Sequence, residues 1–395
     1  MEAFEFASAG RIVFGAGSLA KAGVIAAEFG RRALVVTGRE ARRFPALYEH
    51  LEAAGVRWAI QTIVGEPTIT EAVAGVAAAR GAGAEEVVAI GGGSALDAGK
   101  AIAALLRNPG EPLDYLEVVG RGRPLTEASA PVVAIPTTAG TGSEVTRNAV
   151  LAVPERGVKV SLRSRSMLPR AAIVDPALTL SLPPRVTAEC GLDALTQVIE
   201  PFVSCQHNAL TDAICREGIR RGAGALLRAV RAGEDLEARS EMALCSLFGG
   251  LALANAKLGA VHGFAGPLGG SFDAPHGALC ARLLPLCYAA NARALAERGG
   301  AEGAALLGRH QEVARLVTGD PAATIEDGAR WLAGLVAAAG IRPLRAFGID
   351  VGAIDGAVAK ARGSSSMQGN PIALTDGELR AILGAAIGEG AGPVV

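Results

Sequence analysis

The residues of this 395-residue chain that could do chemistry are few. It has five histidines. Two of them, His262 and His276, lie among small residues, in Val261-His262-Gly263-Phe264-Ala265-Gly266-Pro267-Leu268-Gly269-Gly270 and Ala274-Pro275-His276-Gly277. Small neighbours let a substrate or a metal ion come close to an imidazole, which near neutral pH can ligate a metal or move a proton. Taken singly, each is read as readily as a satisfied core or surface histidine. Upstream, Asp193 and Gln197 stand four residues apart, on one face of a helix. That spacing suits two ligands for one ion, although an amide oxygen is a weaker donor than an imidazole.

A second kind of chemistry is suggested by glycine-rich loops. Gly91-Gly92-Gly93-Ser94 stands between a β-branched run and a helical segment. Without Cβ atoms, the backbone N–H groups can approach an anion, and the helix start adds partial positive charge. Ser94 can cap the helix or donate to a phosphate. Asp97 and Lys100 follow one turn apart, either as a surface ion pair or, since the chain has only Lys21, Lys100, Lys159, Lys257 and Lys360, with a specific task. Pro136-Thr137-Thr138-Ala139-Gly140-Thr141-Gly142-Ser143-Glu144 is another polar loop at a strand end. Its Thr137, Thr138 and Thr141 hydroxyls can hold a diphosphate, a ribose or a carboxamide. Gly15-Ala16-Gly17-Ser18-Leu19-Ala20 also fits G-x-G-x-x-A, with Glu40 near the position of a ribose-binding acid. In a chain with 52 glycines that spacing arises readily by chance, and a tight turn is the plainer reading.

The elements that must position these residues alternate in the first half. Strands are predicted at Arg11–Phe14, 33–37, 58–63, 86–90, 131–135 and 171–175, and helices over 18–28, 41–54, 69–81 and 94–106. An extended or hairpin excursion is predicted at 151–160. Strand–helix alternation implies parallel βαβ units, whose sheets bind ligands at the carboxyl ends of the strands. After Ser181-Leu182-Pro183-Pro184, helical periodicity takes over. The expected fold class is an α/β N-terminal dinucleotide-binding domain, residues 1–180, followed by an all-α C-terminal metal and substrate domain, residues 181–395. The Gly-rich tail from Gly388 is expected to fray.

Several function classes are excluded by composition. With half its residues hydrophobic and 19% charged, the chain is not intrinsically disordered. A formal charge of −1 advertises no nucleic-acid surface. The longest uncharged apolar stretch, 243–256, is too short to cross a bilayer and reads as a core helix. No signal peptide is visible at the start. The six cysteines, without a CxxC pair, are expected to be reduced and buried, and a cytoplasmic location follows.

Taken together, four blocks resemble the iron-containing (group III) alcohol dehydrogenase family: Gly91–Lys100 (GGGSALDAGK), Pro136–Thr146 (PTTAGTGSEVT), Gly191–Glu200 (GLDALTQVIE) and Leu258–Gly277 (LGAVHGFAGPLGGSFDAPHG), with Asn370-Pro371 as a fifth match. They occur in order over nearly the whole chain. The resemblance implies a dinucleotide domain, a helical domain and a cleft between them that holds nicotinamide and a divalent ion, iron or zinc. The family's Asp-His-His-His ligand set falls on Asp193, Gln197, His262 and His276, so the second ligand is changed from His to Gln. A further histidine of the family falls on Gly266. These departures predict a metal that is held weakly or not at all.

The implied activity is NAD- or NADP-dependent hydride transfer between an alcohol and an aldehyde or ketone, with His262 and His276 as catalytic groups. The cofactor would be bound by Gly38, Gly91, Gly92, Gly93, Ser94, Asp97, Thr137, Thr138, Thr141 and Lys159. At the end of the second strand, Gly38 stands where NAD-strict members often carry Asp, and Arg39 and Arg42 are nearby, so NADP should be accepted. Arg163, Arg165 and Arg170 form either an anion site or a solvated face. The expected partners are a small alcohol or carbonyl substrate and a second copy of the chain in a homodimer or larger oligomer. Three alternatives stay open: a metal-free carbonyl reductase like maleylacetate reductase, a lyase of the dehydroquinate synthase type, and a catalytically silent nucleotide-binding relative.

Overall fold

A computed structural model describes residues 3–388, so the end of the Gly-rich tail lies outside the described residues. Chain packing divides it into two compact units: residues 7–138 with 142–180, and residues 181–388 with 3–6 and 139–141.

The first unit is built on a six-stranded, all-parallel sheet in the order β1-β8-β5-β4-β2-β3. Its strands are β1 (Ile12–Phe14), β2 (Arg32–Thr37), β3 (Arg57–Thr62), β4 (Glu86–Gly91), β5 (Val132–Pro136) and β8 (Ala171–Val174), while β6 (Asn148–Val153) and β7 (Val158–Arg163) form the antiparallel hairpin. Successive side chains point to opposite faces. Leu34, Val36, Val87, Ala89, Val132 and Ala134 join one core with α3 (Ile69–Gly81), α4 (Gly93–Arg107) and the hairpin. Ala33, Val35, Val88, Ile90, Val133 and Ile135 join another with α1 (Ala22–Ala26) and α2 (Pro45–Ala53). Both faces are covered, which is why these strands read as continuous apolar runs. A single turn, α5 (Pro112–Tyr115), completes the unit's helices.

Two predicted helices are shorter than expected. The segment from Ser18 begins as a 3-10 turn, Ser18–Lys21, before the short α1. The helix predicted from residue 41 starts as α helix only at Pro45, which takes the first position and bars Phe44 from helical geometry.

The second unit is helical: α6 (Pro184–Val203), α7 (Ala209–Arg231), α8 (Leu236–Asn255), α9 (Ala260–Ser271), α10 (His276–Arg298), α11 (Gly300–Thr318), α12 (Ile325–Ala338), α13 (Ile354–Arg362) and α14 (Asp376–Ile387). Its core gathers apolar residues from all nine. The apolar stretch 243–256 lies mostly in α8, against that core. Among the described residues no single helix is long and apolar enough to cross a membrane. From Thr187 onward α6 is buried on every side, apart from half-buried Cys190. A helix buried all round should be apolar, yet α6 carries Asp193, Gln197 and Glu200 in its interior.

Candidate active site

Those three polar residues stand at i, i+4 and i+7, along one stripe of α6. Asp193 faces His262 of α9 and His276 at the start of α10. Its Oδ1 lies 3.3 Å from His262 Nε2 and 3.8 Å from His276 Nε2. The structure adds a residue that the sequence reading misses. Cys280, one turn beyond His276 on α10, places Sγ 3.7 Å from His262 Nε2 and 3.5 Å from His276 Nε2. Ligand atoms of Asp193, His262, His276 and Cys280 all lie within 4.8 Å of one another. The signal for Cys280 was the i,i+4 spacing from His276, the same spacing that singles out Gln197 from Asp193.

Glu200 is the other residue missed, although it ends the GLDALTQVIE block. Its Oε2 lies 2.6 Å from His262 Nδ1, and its Oε1 accepts the Val261 N–H at 2.7 Å. Glu200 accepts from Nδ1–H of His262, which leaves Nε2 as the ring atom that faces Asp193 and Cys280. Glycine at 259 makes this approach possible, because a Cβ there would come within 2.9 Å of Glu200 Oε1. Asn370 completes the frame. Its Oδ1 accepts from the Ala260 N–H and from Asn291 Nδ2, each at 3.0 Å, which anchors the start of α9.

Gln197 is turned away from a ligand's role in one respect. Its Nε2 donates to the Gly140 carbonyl at 3.0 Å, and its Oε1 is buried without a hydrogen-bond partner. Gly266 is exposed, and a Cβ there would meet nothing within 4 Å.

The electrostatics favour a cation. Burial works against the charge of Asp193, but the facing imidazoles hold its carboxyl below the usual carboxylate range. Burial likewise opposes a charged His262, yet Cys280, Asp193 and Glu200 outweigh it and raise its pKa well above the ordinary value. Cys280 is the largest influence on His276; with Asp193 it outweighs burial and pushes the imidazole up to about 9. Asp193 Oδ1 is also buried with no hydrogen-bond partner among the described residues. A buried, unsatisfied carboxylate oxygen among imidazole nitrogens and a thiol is a donor set that suits a divalent metal.

In the sheet unit, the loops after β2, β4 and β5 converge at the carboxyl edge. Gly91 has φ +153° and stands 3.8 Å, from its would-be Cβ, to Gly38 N; that Cβ would also lie 2.7 Å from Ala95 Cβ. A Cβ on Gly92 would touch Thr138 Cγ2 at 3.3 Å. Gly92 caps α4 with no side-chain hydrogen bond, and Gly93 and Ser94 open the helix. Thr137 donates its N–H to Gly91 O at 2.9 Å. Gly38, Gly91, Gly92, Gly93, Ser94, Thr137 and Thr138 thus share one edge, where backbone can approach a phosphate. Thr141 packs with the helical unit instead.

Asp97 and Lys100 are not a surface pair. Lys100 is fully buried, with Nζ 3.1 Å from Asp97 Oδ1 and donating to Ser143 O and Thr146 Oγ1, each at 2.9 Å. Asp97 accepts from Ser143 Oγ at 2.5 Å and Val150 N at 2.8 Å. Both side chains hold the segment after β5 against α4. Lys159, on β7, lies 3.3 Å from Glu66. Arg163, Arg165 and Arg170 are exposed, and Arg163 lies 3.8 Å from Glu117, so they form a solvated face. In the Gly15–Ala20 turn the amides are already taken: Asp175 accepts from the N–H groups of Gly17 and Leu19 at 3.1 and 3.0 Å. The chain's own carboxylate fills that nest, which is the plain turn. Of the six cysteines none is in a disulfide, but Cys205 is exposed and Cys190 half-buried, against the expectation that all are buried.

Comparison with known proteins agrees with this geometry. Residues 9–176 match the family model described as iron-containing alcohol dehydrogenase, and residues 187–387 match that of the Fe-containing alcohol dehydrogenase family, C-terminal. The chain is 42% identical to Alcohol dehydrogenase 4 of Saccharomyces cerevisiae over 225 residues, 57% of this chain and 58% of that one, so the aligned part spans less than two thirds of the yeast protein. It is similar to a solved 1,3-propanediol oxidoreductase, with a TM-score of 0.90 at 32% identity over 98% of this chain and 100% of the other. It is also similar to sulfoacetaldehyde reductase from Bifidobacterium kashiwanohense in complex with NAD+, with a TM-score of 0.85 at 28% identity over 99% and 100% of the two chains. With both halves matched in order and the aspartate–histidine cluster in place, the chain belongs to the iron-containing alcohol dehydrogenase family.

Proposed function

We propose that the protein is an NAD(P)-dependent oxidoreductase that interconverts an alcohol with an aldehyde or ketone. The observation that carries this reading is the Asp193–His262–His276 cluster, with Glu200 orienting His262 through Nδ1. In the oxidising direction a bound nicotinamide would accept a hydride from the carbinol carbon, and the hydroxyl proton would leave for solvent. Asp193, His262 and His276 would hold a divalent cation, which would supply Lewis-acid polarisation of the substrate oxygen. The chain does the rest. Glu200 holds Nδ1 of His262 and so keeps Nε2 aimed at the cluster, and the Gly140 carbonyl fixes the Gln197 amide so that its buried Oε1 can accept a hydrogen bond from a substrate hydroxyl. His276, with 39% of its side chain exposed, is the member of the cluster that meets solvent.

The division of labour proposed is that residues 1–180 hold the dinucleotide and residues 181–395 the metal and substrate. Gly91, Gly92, Gly93 and Ser94 would receive the diphosphate, and Thr137, Thr138 and Thr141 the ribose and carboxamide. Asp97 acts through the loop it holds. The relatives named for 1,3-propanediol and sulfoacetaldehyde support a short alcohol or aldehyde with a polar tail as substrate. A cytoplasmic location and a homodimer remain part of the reading; exposed Ile12 and Phe14 on the edge strand β1 support pairing with a second copy. The test is NADH- and NADPH-linked reduction of a panel of short aldehydes and ketones, followed by nicotinamide absorbance. Turnover on at least one is expected; tight cofactor binding without turnover on any would overturn the reading.

A further inference from the structure

We infer that Cys280 is a metal ligand, that it takes the place the family gives to the histidine at position 197, and that the site is consequently an Asp-His-His-Cys centre that prefers zinc to iron. The inference deepens the preceding reading of the same site, but its readouts below are spectroscopic and do not depend on turnover.

Three observations carry it. The first is geometry. Four donors at the usual zinc bond lengths, about 2.0–2.1 Å to nitrogen and oxygen and about 2.3 Å to sulfur, stand roughly 3.3–3.6 Å apart when arranged as a tetrahedron. The separations from Asp193 Oδ1 to His262 and His276 Nε2 are 3.3 and 3.8 Å, and those from Cys280 Sγ to the same nitrogens are 3.7 and 3.5 Å. These four separations are close to those of one coordination shell, and all four donor atoms lie within 4.8 Å of one another.

The second observation is Gln197. Its position is correct for a ligand, yet its amide is held by its N–H on the Gly140 carbonyl. A neutral amide oxygen is the weakest donor available there, and it would replace an imidazole in a site that metals of the first transition row hold chiefly through nitrogen and sulfur. The third is the unsatisfied Asp193 Oδ1. Asp193 is 2% exposed, and its oxygen faces two imidazole nitrogens and has no hydrogen-bond partner among the described residues. The sulfur therefore does not stand alone: it is one member of a set of four donors.

Softness decides the choice of metal. A thiolate raises affinity for zinc over harder, oxygen-seeking ions, and tetrahedral N/S donor sets are zinc's usual structural and catalytic environment. A chain that exchanged an imidazole on α6 for a thiolate on α10 keeps four donors and changes which metal they favour.

The experiment uses the full-length protein stripped of metal and reloaded with cobalt(II), zinc(II) or, without oxygen, iron(II). Wild type with one equivalent of cobalt should show the near-ultraviolet thiolate-to-cobalt charge-transfer band together with intense tetrahedral visible bands. Cys280→Ser should lose the charge-transfer band and weaken zinc by more than the roughly 10–100-fold that loss of an outer partner costs. Cys287→Ser, which removes a neighbouring buried thiol, should keep the band. Zinc should outcompete iron in wild type, and Cys280→Ser should narrow that preference. If Cys280→Ser does not fold, protection of Cys280 against alkylation in the zinc-loaded wild type, mapped by peptide, replaces it. Cobalt bound without a charge-transfer band, a band that survives Cys280→Ser, Cys280 alkylated equally with and without zinc, or no metal uptake by wild type would each overturn the inference.

Discussion

Replacing Lys100 with methionine tests whether the loop after β5 is fixed by a buried charge. Lys100 is fully buried, and its three donor hydrogens are all used: on Asp97 at 3.1 Å, and on Ser143 O and Thr146 Oγ1 at 2.9 Å. Burial pulls the Lys100 pKa down, and the charge of Asp97 opposes that pull. Methionine fills a similar volume but leaves Asp97 without its cation. Removing one partner of a buried pair costs about 3–5 kcal/mol. Asp97 keeps Ser143 Oγ and Val150 N as donors, so the lower end applies, about 3 kcal/mol. Asp97→Asn with Lys100→Met removes both charges and should cost less than the sum of the two single changes. The chain has two tryptophans, one in each unit, so in a Trp331→Phe background Trp58 on β3 reports urea unfolding of the sheet unit. NADH affinity should fall in parallel, since Ser143 and Thr146 lie in the loop that follows Thr137 and Thr138. A loss below about 0.5 kcal/mol, the size of an exposed i,i+3 pair, would refute the reasoning.

Other expectations follow from single contacts. Glu200→Gln replaces the carboxylate 2.6 Å from His262 Nδ1 with a neutral amide and should weaken zinc about 10–100-fold, measured by chelator competition. Gly38→Asp places a carboxylate at the end of β2, where a Cβ meets nothing within 4 Å, and should raise KM for NADPH relative to NADH at least about tenfold, read from initial rates with both cofactors. His310 is buried, and burial lowers its pKa to about 4. The unfolded chain, with the ordinary value of 6.5, therefore binds more protons between those two pH values, and stability is lost as pH falls through that window. The loss is roughly 3 kcal/mol by about pH 4, and His310→Leu should flatten the profile between pH 6.5 and 4 relative to wild type in urea titrations.

Periodicity made the sheet legible. Strands buried on both faces must be apolar throughout, and α3 falls on the predicted 69–81, where the structure shows Thr68 and Glu71 capping its start. The G-x-G turn near the N-terminus was not decidable from spacing, because the group that fills it, Asp175, is distant in sequence and arrives only when β8 pairs with β1. Lys100 could be read either as a surface pair or as a specific contact, since an i,i+3 spacing says nothing about what packs over it; the segment 143–150 does.

The ligand set shows the same limit in its sharpest form. Motif alignment assigns a role to each position in turn, so it registers histidine lost at position 197 and concludes that the site is impaired. A cation does not count positions; it responds to which donors reach one point in space. Asp193, His262 and His276 reach it from α6, α9 and α10, and Cys280 reaches it from one turn beyond His276 on α10. Only after the helices pack is it apparent that the lost imidazole and the buried thiol lie beside the same three donors. Sequence shows that one ligand is missing, and packing shows that a softer one stands within reach of the others. The chemistry that follows depends on the metal this exchange selects, which is why the charge-transfer band of the cobalt form is a more direct reading of this site than any rate.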